Sequence, residues 1–301
     1  MKFTDRIKNW RARRAQMKVQ SLALPIAFPL RPRTGTLKLA VVLHIYYFDL
    51  TDEFARYLAN IEQPFDLMIT TDTELKRSMI SAHPICGLAE NCVIELVENR
   101  GRDIAPKIGI LSRKLGQYDI FLFLHSKKSP HGQSLASWRV YLLEQLLGTK
   151  ASTSNIIGLF EEFPNLGIVA AKNFEPVWPS IRWGANFEKG KALAALFGVS
   201  LQMEDPIDFP SGSMFWARPL ALKPLLDLHL RTSDFEPESG QFDGTLAHQI
   251  ERLFYISCEH SCLTWLTIAR PELCTKKAKI VPAVDLEQIA SMMNSNLLLS
   301  K

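Results

Sequence analysis

Apolar runs and helically spaced segments alternate along residues 37–125. LKLAVVLHIYYFD (37–49) is rich in β-branched and aromatic residues and predicts a first, buried strand. TDEFARYLANI (51–61) places Phe54, Leu58 and Ile61 at helical spacing, with Thr51 as the N-cap. FDLMITTDT (65–73) predicts a second strand ending in polar turn residues, and ELKRSMISA (74–82) a helix after it. NCVIELVENRGRD (91–103) reads as a third strand and a glycine turn, and IAPKIGILSRKLGQ (104–117) as a helix with Pro106 near its start, where proline is tolerated. YDIFLFLH (118–125) is the fourth strand. Strands that alternate with helices and are mostly apolar throughout imply an α/β fold, a mainly parallel sheet with helices on both faces. Ligands of such sheets bind beyond the carboxyl ends of the strands. Here those ends are Phe48-Asp49, Thr71-Asp72, Asn99 to Asp103 and His125 to Ser129.

The second half is less regular. SWRVYLLEQLLG (137–148) predicts an amphipathic helix and LGIVAAKNF (166–174) a strand. Residues 175–190 read as a loop dense in aromatics, including Trp178 and Trp183. DFPSGSMFWARPLALKPLLDL (208–228) reads as loop, short strand and helix, the helix interrupted at Lys223-Pro224. SGQFDGTLAHQIERLFYISCE (239–259) begins as a glycine-rich turn and enters a helix near Asp243. The organisation expected is a basic arm and proline-rich linker over 1–36, one main domain over 37–270 and a C-terminal tail over 271–301.

Composition adds little until the charge is located. Hydrophobic residues are 47% and charged residues 22%, enough apolar content for a sizeable core. The net charge is +4, yet residues 1–20 carry Lys2, Arg6, Lys8, Arg11, Arg13, Arg14 and Lys18 against Asp5 alone, so the remainder is slightly acidic. With Phe3, Ile7, Trp10 and Met17 interleaved, that arm suits an anionic membrane surface as an amphipathic helix, or stands as a solvated arm. The rest of the chain has no basic stripe of the kind nucleic-acid binding needs. The sequence shows no signal peptide, and its five cysteines lack zinc spacing and fit free thiols in a reducing cytosol.

Four stretches together resemble the rhamnan synthesis protein F family of glycosyltransferases, with a GT-A-like fold: FDLMITTDT, ENRGRDIAPKIGILSRKLGQYDIFLFLHSKKS, DFPSGSMFWARPLAL and FDGTLAHQIER. The resemblance implies an inverting transfer, with a rhamnosyl donor such as dTDP-rhamnose and a growing O-antigen, capsule or rhamnan chain on a lipid carrier as acceptor. An active site on the cytosolic side, at the inner membrane face, fits both the missing signal peptide and the basic arm. By resemblance Asp72 contacts the nucleotide base, Ser211 and Gly212 approach the donor sugar, and Asp243 supplies the base.

The residue chemistry agrees with these roles and keeps alternatives beside them. Asn99 to Asp103 is a tight turn opening a helix, a place for an anion or ribose. Arg102 suits a phosphate bidentately, and Asp103 suits sugar hydroxyls or a helix cap. Where related transferases carry a metal-binding Asp-x-Asp, this chain has His125-Ser126-Lys127-Lys128-Ser129. Lys127 and Lys128, with His125, would stabilise a leaving diphosphate by fixed charge, so a metal-independent site is expected, with His125 and a nearby Asp as ligands of a divalent cation the alternative. Asp243, between Phe242 and Gly244, is expected to take the acceptor's proton with its pKa raised by the apolar wall, or to cap the helix. Trp178 and Trp183 suit stacking on an acceptor saccharide, with His248 lining the same site, and core packing is the alternative for each. The rival function is a non-catalytic saccharide-binding or assembly module of a polysaccharide-synthesis complex.

Overall fold

The computed structural model describes residues 23–26, 35, 37–126, 128, 135, 137–241, 243–278 and 280–299. The basic arm, Lys127, Ser129 and Phe242 lie outside the described residues. Strands β1 (Leu24–Pro25), β2 (Leu39–His44), β3 (Phe65–Thr71), β4 (Asn91–Leu96), β5 (Ile120–His125), β6 (Leu166–Ala171), β7 (Phe215–Ala217) and β8 (Thr264–Ala269) form one sheet in the order β1-β8-β6-β7-β5-β2-β3-β4. Neighbours pair in parallel except at β7, which runs antiparallel to both β5 and β6. The helices are α1 (Thr51–Leu58), α2 (Glu74–Ser81), α3 (Ile104–Lys114), α4 (Trp138–Leu147), α5 (Lys150–Glu162), α6 (Phe187–Leu196), α7 (Lys223–Leu226), α8 (Leu246–His260) and α9 (Leu286–Asn296).

Period-two alternation sorts each central strand's side chains into two layers. In β5, Phe121 and Phe123 enter the layer under α3, α6 and α8, while Ile120, Leu122 and Leu124 enter the layer under α1, α4, α5 and α9. All six residues of β5 are buried. Each fully buried phenylalanine or leucine contributes roughly 1.5–3 kcal/mol, so β5 is a main source of cohesion. The α/β class and the mainly parallel sheet are as the hydrophobic pattern predicts.

Several elements differ in extent from the reading of the sequence. The first strand ends at His44, and Phe48–Leu50 forms a 3₁₀ turn. Thr51 is the first residue of α1 rather than its cap, and its hydroxyl donates back to the Phe48 carbonyl at 2.6 Å. Residues 187–196, partly read as loop, form α6. The helix after Gly244 is capped by Thr245, which shares a reciprocal cap with His248, so Asp243 lies before the cap. Leu24, in the proline-rich stretch, is fully buried in β1, and Met293 of α9 packs into the same layer. No helix among the described residues is long and apolar enough to cross a membrane.

Because β7 is reversed, its beginning lies at the same sheet edge as the ends of β5 and β6. The Ser211 to Ser213 loop therefore enters at the carboxyl edge, opposite His125.

Candidate active site

A cleft of about 690 Å³ lies at this edge. It is lined by the ends of β2 and β5, the Asn99 to Ile104 turn, the Ser211 to Ser213 loop and the first turns of α8. Arg102, Asp103, His125, Lys128, Ser211, Gly212, Asp243 and His248 all line it, so most of the expected site residues converge.

Its floor is a buried polar cluster. Asp103 occupies the N-cap position of α3, but its side chain does not cap the helix. The carboxylate instead pairs with Lys107 Nζ at 3.1 Å and accepts the Ser213 hydroxyl. Lys107 also donates to the Ser213 carbonyl at 2.7 Å. Burial alone would push the Asp103 carboxyl up, but His125, Lys107 and the Ser213 hydrogen bond together hold it well below the usual range. Burial depresses Lys107, and Asp103 partly restores it. His125 Nε2 lies 3.9 Å from Asp103 and 2.6 Å from the Gly212 carbonyl. On the other side His44, bonded through Nδ1 to Thr70 Oγ1 at 2.9 Å, is lowered to about 4, chiefly by burial.

Ser126 and Lys128, just past β5, are tied to the residues after β2. Ser126 Oγ accepts from the Tyr46 and Tyr47 amides at 2.8 and 2.9 Å. Lys128 pairs with Asp49 at 2.5 Å and lies 4.9 Å over the Tyr47 ring. The Asn99 to Asp103 turn in turn holds the segment leading to Asp243. Arg100 donates to the Phe235 carbonyl at 3.0 Å, and Arg102 donates to the Gln241 carbonyl with Glu238 at 3.6 Å. Arg102 itself has φ +56°, and Gly101, φ +65°, packs closely against the Phe235 ring.

Asp243 is about half exposed in the cleft, with a side-chain exposure of 44%. Its Oδ1 accepts from Asn186 Nδ2 at 2.7 Å and lies 3.4 Å from the Arg252 guanidinium. The raised pKa expected for it is not found. Partial burial pushes it up, but the Asn186 hydrogen bond and the charge of Arg252 outweigh that, so the carboxyl is lowered. Arg252 is buried and locked by the Arg182 and His248 carbonyls at 2.9 and 2.8 Å. Glu251 lines the cleft and accepts the Gly212 amide at 2.8 Å. Arg182 is an exposed cation on the cleft wall that the reading of the sequence left in a loop.

Three expected residues sit elsewhere. Asp72, just past β3, pairs with Lys76 at 2.6 Å outside the cleft lining. Trp183 is 3% exposed, packed edge-on to Phe187 and against Gly190, so its faces are spent on the core and not offered to a saccharide. Trp178 faces a second cavity beside the cleft. As for a metal, no three His, Cys, Asp or Glu side chains group as a ligand set among the described residues. Asp103 and His125 are engaged by Lys107, Ser213 and the Gly212 carbonyl, so these residues do not make a built divalent-cation site.

The model of the family described as rhamnan synthesis protein F matches residues 26–261. Two strains of Xanthomonas campestris pv. campestris, B100 and ATCC 33913, each have an uncharacterized protein, WxcX, 38% identical to this chain over 223 residues. That match spans 73% of this chain and 31% of the relative, so the chain corresponds to about a third of the length of these curated relatives. Among solved structures, the mannosyltransferase PcManGT from Pyrobaculum calidifontis, in complex with GDP-Man and Mn²⁺, overlaps at a TM-score of 0.45 and 13% identity, covering 91% of this chain and 63% of that one. TarS 1–349 from S. aureus in complex with UDP overlaps at 0.43 and 11%, covering 86% and 65%. With most of its length matched by the family model, the chain belongs to the rhamnan synthesis protein F family, a glycosyltransferase family of polysaccharide synthesis.

Proposed function

We propose that this chain is an inverting glycosyltransferase that moves a sugar, rhamnose by the family's description, from a nucleotide-sugar donor to a growing surface polysaccharide. The observation that carries the reading is the convergence in one cleft of a half-exposed carboxylate, Asp243, with three cations, the half-buried Arg102 and the exposed Arg182 and Lys128. An inverting transfer needs both. The acceptor hydroxyl attacks the anomeric carbon as its proton passes to Asp243, and the bond to the diphosphate breaks with its electron pair leaving on the phosphate oxygen. Fixed cations stabilise that developing charge in place of a metal. With its pKa lowered, Asp243 is ionised at neutral pH and accepts the proton as a weak base, so transfer accompanies attack and does not precede it. Ser211 and Gly212, carried in by the reversed β7, bound the donor sugar. The lipid-linked acceptor, a peripheral position at the cytoplasmic membrane face and an arm on anionic lipid complete the proposal.

The test is transfer from a panel of nucleotide sugars to a lipid-linked saccharide pool, with EDTA or with added Mg²⁺ or Mn²⁺. Transfer that survives EDTA and is lost in Asp243→Asn supports the reading. Transfer that requires the metal overturns the fixed-cation part. A folded protein that neither transfers nor hydrolyses any donor is a saccharide-binding module.

A further inference from the structure

Beside the cleft lies a separate cavity of about 410 Å³, walled largely by Phe174, Pro176, Trp178, Pro179 and Leu273. One buried cation reaches this apolar wall. Lys172, directly after β6, is 2% exposed, and its ammonium lies 5.6 Å over the Trp178 ring. Among the described residues no carboxylate lies within ion-pair distance of it. Asp208 acts on it only through its charge, because the Asp208 Oδ1 accepts from Asn173 Nδ2 at 2.7 Å and from the Phe209 amide at 2.8 Å. Burial depresses the lysine to about 8, the mark of a charge held without a close counter-ion.

The two cavities share a wall. Within the 3₁₀ turn Glu175–Ser180, Val177 and Ser180 face the cleft, whereas Trp178 and Pro179 face the second cavity. Asn173 lines the second cavity and its Oδ1 accepts from the Ser211 amide and hydroxyl, at 3.2 and 2.5 Å, on the cleft side. The lone carboxylate among the described residues of the second cavity's lining, Glu175, is taken by Lys277 at 3.0 Å.

We infer that this cavity is a saccharide subsite for a sugar unit bearing an anionic group, with the sugar's apolar face on Trp178 and its carboxylate or phosphate on Lys172. The inference rests on the proposed transferase reading for its meaning, since a subsite one wall away from the reacting cleft suits a unit of the acceptor remote from the attacked position. Its chemistry stands without that reading: an aromatic ring supplies the stacking surface and a lysine without a close counter-ion supplies the charge.

The test is equilibrium binding followed by tryptophan fluorescence and by protein NMR, with glucuronate, glucose 6-phosphate, glucose and inorganic phosphate as probes. Glucuronate and glucose 6-phosphate are expected to bind, at least about tenfold more tightly than glucose, since a charge-assisted hydrogen bond separates them. Phosphate alone binding as well as glucose 6-phosphate makes the site a bare anion site and overturns the saccharide part. Trp178→Ala and Lys172→Met are each expected to weaken glucuronate by about tenfold or more. Because Lys172→Met strands the Asp208 charge, the Lys172→Met/Asp208→Asn pair provides a neutral-for-neutral second test of the same loss. Asp243→Asn is expected to bind both acidic probes normally, so loss of transfer in that variant and loss of this subsite are separate results. Equal binding of glucose and glucuronate, unchanged binding in Trp178→Ala and the double variant, or no binding of any acidic sugar at millimolar concentration overturns the inference.

Discussion

Asp103 and Lys107, one helical turn apart at the start of α3, form an ion pair whose side chains are 10% and 3% exposed. Two charges so far from water are held by each other and by Ser213, and neither is tolerable alone. Lys107→Met is therefore expected to lower unfolding free energy by about 3–5 kcal/mol, measured by urea denaturation. Asp103→Asn in the same chain is expected to restore part of that loss, whereas independent losses that simply add contradict the pairing.

Asp243 is expected to carry the proton transfer. Asp243→Asn keeps the Asn186 contact and the local shape, so thermal stability should be close to native while turnover falls by about 10²- to 10⁴-fold. Because Asn186 and Arg252 lower its pKa, the acid limb of the rate profile should lie below the ordinary aspartate value of 3.8. An acid limb near neutrality would move the base role to another group.

The pH dependence of stability contains two opposed contributions. The native His44 titrates at about 4 instead of 6.5, so the unfolded chain binds more protons between those values and stability falls as pH falls. The native Asp208 titrates at about 6 instead of 3.8, chiefly through burial, so the folded chain binds more protons and stability rises as pH falls through the same window. Each amounts to at most about 3 kcal/mol, less for His44, whose ring reaches the cleft. Relative to native, His44→Gln should gain stability on moving from pH 6.5 to 4 and Asp208→Asn should lose it, read from urea midpoints across that range.

A methyl group at Gly101 has nowhere to go. An added Cβ would lie 2.5 Å from the Phe235 ring and 2.7 Å from Ala105 Cβ, at φ +65°. Gly101→Ala should cost roughly 2–4 kcal/mol and displace the segment that leads to Asp243. Gly116, φ +81° with nothing within 4 Å of an added Cβ, should cost only about 1 kcal/mol as alanine. Thermal melts of the two variants separate crowding from backbone strain.

How much of this was legible in the chain differs by element. The strands of the first half carry continuous apolar runs because both faces are buried, and that pattern survives without a structure. The orientation of Phe215–Ala217 does not, since three apolar residues read the same in either direction. Strand β8 hides in CLTWLTIA after a helix, and β1 hides beside prolines because two residues suffice at a sheet edge. In the site, turn motifs announced Arg102, Asp103, His125 and Gly212, whereas Lys107, Glu251 and Arg252 sit inside helical segments with no turn motif to mark them. The Asp103–Lys107 spacing of four was the available signal for the first. No local pattern reveals that Arg252 is buried against Phe209, because that depends on a loop distant in the chain. Trp183 went the other way: an aromatic in a loop reads as a surface platform, yet Gly190 makes room for it in the core.

The single reversed strand has a further consequence. Since β6 ends and β7 begins at the same edge, everything between Ala171 and Phe215 departs from the cleft and comes back to it. That excursion is not loose, for Ile181, Trp183, Phe187 and Phe209 within it join the core layer of Phe121 and Phe123, and Asn186 within it holds Asp243. Packing and cleft shape are thus set by one length of chain, so a substitution in its buried half is felt at the Asp243 carboxylate without touching it.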